Sequence, residues 1–136
     1  GKLVSVNALN GQRNWGIDLS GYRTPLVSGN QIYVIDEDGK LICLDRISGE
    51  VYWITDLSKF RSGKNIKNLN LWLGPYLINN LIYNISYFGE IKIVSPITGE
   101  TLSNESIAIR GILVPPLMLS NAIYLTDKNS NVYEVR

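Results

Sequence analysis

Short apolar runs separated by turn residues recur along the whole chain. Three of them are rich in the β-branched and aromatic residues that favour strands, and each follows a turn containing Asn: Ile32–Ile35, Leu81–Ile85 and Ile123–Leu125. Asn and Gly tolerate a positive φ, so these turns indicate tight hairpins. No segment keeps an apolar period of about 3.6 residues, so the pattern predicts strands, with helices short or absent.

One motif occurs three times, and its spacing predicts the architecture. Its clearest copy, Gly39–Trp53, reads Gly-Lys-Leu-Ile-Cys-Leu-Asp-Arg-Ile-Ser-Gly-Glu-Val-Tyr-Trp, and the other copies are Gly1–Trp15 and Gly89–Ser103. In every copy the second glycine follows the first by ten positions. A fixed spacing that returns after roughly 40 residues is the signature of a repeat protein.

A second recurring element runs from a proline to a tyrosine: Pro25–Tyr33, Pro75–Tyr83 and Pro116–Tyr124. Together with the repeat motif it predicts a unit of four antiparallel strands. The first follows the proline, the second follows the Asn turn, and the third and fourth are Lys40–Asp45 and Val51–Asp56 in the clearest copy. Four strands in roughly 40 residues form one blade of a β-propeller. The predicted fold class is therefore all-β, a propeller of four-stranded antiparallel blades.

The units do not divide the chain evenly. We predict a single propeller segment with a partial blade at 1–19, blades at 25–57 and 72–107, and an incomplete last blade at 114–136. This is an arc of about three blades with about 13 strands, whereas closed propellers have roughly 4 to 8 blades. We therefore expect either a part of a larger propeller or a protomer that pairs with copies through its open strand edges.

Composition argues against several functional classes. The 136 residues are 45% hydrophobic with a formal charge of +1, so no field of one sign points to nucleic acid or lipid. There is no histidine and therefore no imidazole base or ligand, and no serine or cysteine has an activating context. The lone Cys43 is expected to be a small core residue, and Asp36, Glu37 and Asp38 an exposed turn. We expect no enzyme activity, catalytic residue, metal or cofactor.

The recurring tryptophans are expected to be structural. Trp15 and Trp53 each stand four residues after the second glycine, and recurrence in register favours a dock between adjacent blades over a ligand platform. Ser103 holds the equivalent position in the third copy, so we expect that blade to dock more weakly at its outer edge.

The polar residues of the repeat motif are expected to build its turn. Asn7, Asp45 and Ser95 precede the second glycine by four positions, where a short polar side chain can bond to the turn backbone. We favour this role over metal binding or catalysis. The second glycines themselves suit a left-handed turn position.

An insertion separates two of the blades. Pro75 follows Trp53 by 22 positions, whereas Pro25 follows Trp15 by 10, so the stretch Ser58–Asn70 holds 12 extra residues. Insertions confined to one face of a repeat protein often mark its binding face; the alternative is a solvated loop. The candidate partner-binding residues are Lys59, Phe60, Arg61, Lys64 and Lys67. Nucleic-acid binding would need more basic charge and more interleaved aromatic residues.

The repeat motif resembles that of pyrroloquinoline-quinone (PQQ) type propellers, roughly Gly-x-Leu-x-Ala-Leu-Asp-x-x-Thr-Gly-x-x-x-Trp. The matching residues are Gly39, Leu41, Leu44, Asp45, Ser48, Gly49 and Trp53. The stretch from Trp72-Leu-Gly-Pro75 to the third copy, and the ending Leu125–Arg136, look like the C-terminal blades of BamB-type outer-membrane assembly lipoproteins.

This resemblance implies a scaffold at the periplasmic face of the outer membrane of a Gram-negative bacterium. BamB-type proteins are eight-bladed propellers that bind BamA and assist the insertion of β-barrel proteins. Their membrane attachment is a lipid anchor, which here would lie outside this chain. One rival is a quinoprotein dehydrogenase, which carries a stacking Trp, a Ca²⁺ site and often paired cysteines; the single cysteine argues against it. A sensor or adhesion propeller is another.

Overall fold

The computed structural model describes residues 1–21, 23–58, 72–109, 111–112 and 114–136. Strands account for its regular structure, and no helix occurs in these ranges. The strands are β1 (Lys2–Val6), β2 (Arg13–Asp18), β3 (Leu26–Ser28), β4 (Gln31–Ile35), β5 (Lys40–Asp45), β6 (Val51–Asp56), β7 (Trp72–Ile78), β8 (Leu81–Ser86), β9 (Glu90–Val94), β10 (Thr101–Ser106), β11 (Leu117–Leu119), β12 (Ala122–Thr126) and β13 (Val132–Val135).

The strands form four antiparallel sheets in chain order, which confirms the predicted fold class. The first sheet is β1–β2, the second β3–β6, the third β7–β10 and the fourth β11–β13. In the second and third sheets each strand pairs with its neighbours in sequence, as in a propeller blade. The predicted strands Lys40–Asp45 and Val51–Asp56 are present with those bounds.

The hairpin turns lie where the Asn-containing segments predict them. Gly29 has a φ of 57°, and both Asn79 and Asn80 have a positive φ, at 49° and 61°. In the last hairpin the positive φ falls on Ser120, at 56°, and not on its Asn neighbour. Serine has no special tolerance for this conformation, so this turn has a backbone cost that Asn would reduce.

The core lies between successive sheets. Val34 and Ile42 of the second sheet pack with Leu19 and the partly buried Ile17. Larger clusters join the second sheet to the third and the third to the fourth; the former holds Tyr33, Ile35, Leu41, Cys43, Leu57, Trp72, Ile82 and Val94. Cys43 is fully buried, which confirms it as a core residue, and burial raises the pKa of its thiol to about 11.

The register gives the molecule two distinct faces. Lys40 pairs with Asp56 and Trp72 pairs with Ser86, so the turns after β4 and β8 share one side with the chain segments that link the sheets. We call this side the connector face. The opposite side carries the hairpin turns at 28–30 and 79–80 and the repeat-motif turns, and we call it the motif face.

Candidate partner-binding surface

The predicted partner-binding residues belong to the insertion between β6 and β7. Lys59, Phe60, Arg61, Lys64 and Lys67 lie outside the described residues. The structure does describe the two ends of the insertion, since β6 ends at Asp56 and β7 begins at Trp72, both beside connector-face turns. The structure therefore describes the base of the predicted site, formed by the two ends of the insertion, and the turns around that base.

Both ends of the insertion are held by hydrogen bonds. The Leu57 amide donates to the carbonyl of Gly39 at 3.0 Å, and its own carbonyl accepts from Lys92 Nζ. Arg23 Nε donates to the carbonyl of Trp72 at 3.2 Å. Because Leu57 is also fully buried, the insertion starts from a fixed point.

Lys92 is a buried cation beneath this base. Its residue is only 2% exposed, and its ammonium lies 5.3 Å from the centre of the Trp72 ring. Burial lowers the pKa of Lys92, and the nearby carboxylates of Glu90 and Asp56 act in the opposite direction. A buried ammonium is costly unless it is paired, and here the Leu57 carbonyl and the indole face offset part of that cost.

Lys92 and Asn84 form a polar pair in register. The corresponding pair in the second sheet is Ile42 with Val34, both apolar and buried. Asn84 Nδ2 donates to the carbonyl of Lys92 at 3.3 Å, while its Oδ1 is buried without a hydrogen-bond partner in the described residues. Sequence reasoning missed this pair, although Lys92 takes the place of an apolar residue in the repeat.

The connector-face turns are closed by side-chain acceptors. Asp36 Oδ1 accepts from the amides of Asp38 and Lys40 at 2.9 and 2.8 Å. Ser86 Oγ accepts from the amide of Glu90 at 3.0 Å. The expectation of exposure therefore holds for Glu37 and Asp38 and fails for Asp36, which is partly buried because its carboxylate closes the turn.

Asp127 occupies the same position in the fourth sheet and is the most enclosed of the three. Its Oδ1 accepts from the amides of Asn129 and Asn131, both at 2.9 Å, and its Oδ2 accepts from the Asn131 amide group and the Tyr133 hydroxyl, both at 3.1 Å. Burial acts to raise the pKa of this carboxyl, yet the hydrogen bonds outweigh it and lower the pKa. The buried charge therefore has a structural role.

On the motif face the two tryptophans dock adjacent sheets, as predicted. Trp15 Nε1 donates to the carbonyl of Arg46 at 3.0 Å, and Trp53 Nε1 donates to the carbonyl of Pro96 at 3.2 Å. Each ring covers the second glycine of the next motif copy. A Cβ on Gly49 would lie 2.8 Å from the Trp15 ring, and one on Gly99 2.7 Å from the Trp53 ring. Both glycines also have a positive φ, so two independent constraints require them.

The polar residues of the motif close its turn, as predicted. Asn7 Oδ1 accepts from the Leu9 amide at 2.8 Å, and Ser95 Oγ accepts from the Thr98 amide at 3.3 Å. Asp45 Oδ1 accepts from the amides of Ile47 and Ser48 at 2.8 and 2.7 Å. The Tyr52 hydroxyl donates to Asp45 Oδ2 at 2.6 Å and, with the turn amides, lowers the pKa of Asp45 to about 2.

Within the described ranges, no three His, Cys, Asp or Glu side chains converge to hold a metal ion. The same ranges contain no helix of the length and hydropathy that a membrane span requires.

Comparisons with known proteins support a propeller of this type. Residues 1–55 match the family model described as outer membrane protein assembly factor BamB. A crystal structure of BamB from Moraxella catarrhalis is 19% identical with a TM-score of 0.72, and the match covers 99% of this chain and 40% of that one. No curated protein sequence matches the chain.

Two further solved structures share the architecture. The computationally designed Ika4 protein is 15% identical with a TM-score of 0.72, over 99% of this chain and 79% of that one. The quinohemoprotein alcohol dehydrogenase from Comamonas testosteroni is 20% identical with a TM-score of 0.61, over 84% of this chain and 19% of that one. The fold is thus that of a PQQ-type β-propeller and resembles BamB, and the chain spans 40% of the length of that BamB structure.

Proposed function

We propose that this protein is a non-enzymatic scaffold at the periplasmic face of the outer membrane, where it binds BamA-type machinery and assists the insertion of β-barrel proteins. The observation that carries the proposal is the match of residues 1–55 to the BamB assembly-factor model. The likeness of nearly the whole chain to a BamB structure supports it at the level of fold. Membrane attachment through a lipid anchor is part of this proposal.

The contacts within the repeat support a binding role for the loops. Both repeat-motif tryptophans use their indole N–H groups in the dock between sheets, and Asp45 uses its carboxylate in its own turn. These side chains are therefore committed to the fold. We also propose that the four sheets are blades of one propeller segment, with blades or partial blades at 1–19, 25–57, 72–107 and 114–136.

We assign partner binding to the connector face, where the insertion begins and ends. Its candidate residues are Lys59, Phe60, Arg61, Lys64 and Lys67, four of them basic with no acidic residue among them. Basic side chains around an aromatic residue suit an acidic surface on a protein partner, because charge complementarity speeds association and aromatic or Arg side chains supply most of the binding energy.

A binding measurement with BamA periplasmic domains tests the proposal. The chain, immobilised and probed by biolayer interferometry, should bind these domains at micromolar concentration, more weakly as salt is raised. Reversing the four basic charges of the insertion to Glu should weaken binding at least about tenfold. Arg13→Glu with Arg46→Glu, at exposed positions next to the repeat-motif turns of the motif face, is the control. If the BamA periplasmic domains do not bind the immobilised wild-type chain at micromolar concentration, the result would contradict the scaffold role.

A quinoprotein dehydrogenase remains the second candidate, because the dehydrogenase from Comamonas testosteroni has the same architecture. A titration with pyrroloquinoline quinone and Ca²⁺, followed by tryptophan fluorescence, separates the two. We expect no saturable change for the scaffold. Binding of one quinone per chain would favour the dehydrogenase and overturn the scaffold.

A further inference from the structure

Three chain segments meet on the connector face between the third and fourth sheets. They are the turn 86–89, the connector beginning at Ile107 and the turn 127–130. Backbone hydrogen bonds join them: the Ile107 amide donates to the Gly89 carbonyl at 2.9 Å, the Ile112 amide to Tyr87 at 3.2 Å, and the Lys128 amide to Gly111 at 3.1 Å. The connector is therefore fixed to both turns.

An aromatic pair lies on top of this junction. Tyr87 and Phe88 meet edge to face, with ring centres 5.2 Å apart and planes at 83°. Lys128 Nζ lies 5.3 Å from the centre of the Tyr87 ring. A Cβ on Gly111 would come within 2.8 Å of the same ring, so the tyrosine lies directly on the connector backbone. We call Tyr87, Phe88, Gly111 and Lys128 the aromatic platform.

The platform is rigid from below and open above. Tyr87 packs against the core cluster between the third and fourth sheets, together with Ile107 and Ile109 of the connector. Phe88, by contrast, is 48% exposed. Aromatic residues are enriched at the cores of protein interfaces, so a half-exposed ring on a rigid support is suited to act as an anchor residue.

The repeat shows that a turn at this position can close without aromatic residues. The positions equivalent to Tyr87 and Phe88 hold Glu37 and Asp38 in the second sheet. All three connector-face turns close through their first residue, Asp36, Ser86 or Asp127, with no need for aromatic side chains. The aromatic pair is therefore particular to this corner of the molecule.

We infer that the aromatic platform is a docking site for a segment of a protein partner that presents an apolar side chain flanked by carboxylates. The apolar side chain would pack on Phe88, and a carboxylate would pair with Lys128. Lys128 is exposed, whereas Asp127, the acidic residue within these two turns, is buried with its oxygens occupied. The basic insertion starts and ends on the same face. The inference rests on the proposed binding of a protein partner and locates where it occurs.

The test is an NMR titration of the ¹⁵N-labelled chain with two separate probes. The first is the BamA periplasmic domains; the second is a synthetic peptide with the core Asp-Glu-Leu-Phe-Asp-Glu, beside a charge-reversed peptide with Lys in place of the acids. The BamA periplasmic domains and the acidic peptide should each change the amide chemical shifts of Phe88, Gly89, Gly111 and Lys128. The charge-reversed peptide should not change them.

Variants make the test quantitative. Phe88→Ala should weaken binding at least about tenfold, the loss typical of an anchor residue. Lys128→Glu should weaken binding and reduce its salt dependence. Ile47→Ala is the matched control, since Ile47 is also exposed, at 71%, but on the motif face. Unchanged melting temperatures would show that the variants remain folded.

The outcomes separate this inference from the proposed function. Binding of the periplasmic domains with shifts confined to the motif face would overturn the platform and leave the scaffold role standing. Binding of the acidic peptide at the platform, without binding of the periplasmic domains, would support the platform and contradict BamA as the partner. Equal affinity of the Phe88→Ala variant and the wild-type chain for both probes would overturn the platform.

Discussion

At the scale of single residues, the pairing of Trp53 with Gly99 makes the packing between the second and third sheets specific. The indole N–H satisfies the Pro96 carbonyl and the ring covers a glycine that could not carry a Cβ. Thr55 adds a hydrogen bond from its hydroxyl to the Gly99 carbonyl. Contact area, hydrogen bond and backbone conformation thus depend on one another.

Substitutions at Trp53 should separate these contributions. Trp53→Phe keeps a ring but loses the hydrogen bond, and should lower the free energy of unfolding by about 1 kcal/mol. Trp53→Ala also removes the packing of the ring on Gly99 and should lower the free energy of unfolding by about 3 kcal/mol. Urea unfolding gives both values. Ile54→Ala, at a site 57% exposed in the same strand, is the control and should stay within about 0.5 kcal/mol of wild type. A Trp53→Ala variant as stable as wild type would show that the dock contributes nothing.

Lys92 should make stability depend on pH in the alkaline range. Burial lowers its pKa, so above the folded-state pKa and below the ordinary value of 10.5 the unfolded chain binds more protons. Stability from this group therefore rises with pH across that window. Lys92→Met should be more stable than wild type by about 1 kcal/mol at neutral pH, and the advantage should shrink toward pH 10.5. Denaturant titrations over pH measure it, with exposed Lys2→Met as control. If the free energies of unfolding of wild type and Lys92→Met changed in parallel with pH, the result would contradict a lowered pKa of Lys92 in the folded chain.

At the scale of elements, strand positions could be read from the sequence because period, turn chemistry and repeat spacing agree. The predicted bounds of β5 and β6 are correct to the residue. The dock of Trp15 between adjacent sheets was also predicted, from recurrence in register, but its contact with Gly49 was not. The polar pair of Lys92 and Asn84 was not predicted, because its position between sheets depends on which face of each strand packs against the neighbouring sheet.

The candidate site was predicted less completely than the fold. The insertion was visible as extra length, but Lys59 to Lys67 lie outside the described residues and stay a prediction. The aromatic platform was not predicted because Tyr87 and Lys128 are distant in sequence and come together only in the folded chain, beside the connector at Gly111. Nothing in either local sequence signals that contact.

One substitution in the hairpin between β11 and β12 should increase the stability of the protein. Ser120 adopts a φ of 56°, a conformation that costs most residues roughly 1 to 2 kcal/mol and that Asn tolerates better. Ser120→Asn should therefore raise the free energy of unfolding by about 0.5 kcal/mol. The control is Asn79→Ala in the equivalent hairpin, where φ is 49° and the change should destabilise by about 1 kcal/mol. Loss of stability in Ser120→Asn would show that the serine side chain has a role of its own.

At the scale of the whole molecule, the interfaces between sheets are not equivalent. A tryptophan joins the first sheet to the second and the second to the third. Between the third and fourth sheets Ser103 holds the tryptophan position, and its hydroxyl donates to Glu105 within its own strand. That interface relies on its inner apolar cluster, which includes Ile85, Ile123 and Leu125. Weaker docking of its outer edge stays a prediction from this difference.

Hydrogen exchange should reveal the order in which the interfaces open. Local opening costs least where few buried contacts must break, and Leu117, Met118 and Leu119 of β11 are all exposed. We expect amides of β11 and β13 to exchange before those of β4, β5, β8 and β9, measured by mass spectrometry of peptides from each sheet. Because β11 and β13 are also edge strands, the matched variant Trp53→Ser is needed to isolate the dock. It places a serine at the second-to-third interface and should accelerate exchange in the turn 95–99, where the Gly99 amide donates to Ser95 at 3.0 Å. Equal protection of all sheets in the wild-type chain, or an unchanged turn in Trp53→Ser, would show that the tryptophan does not set the strength of the interface.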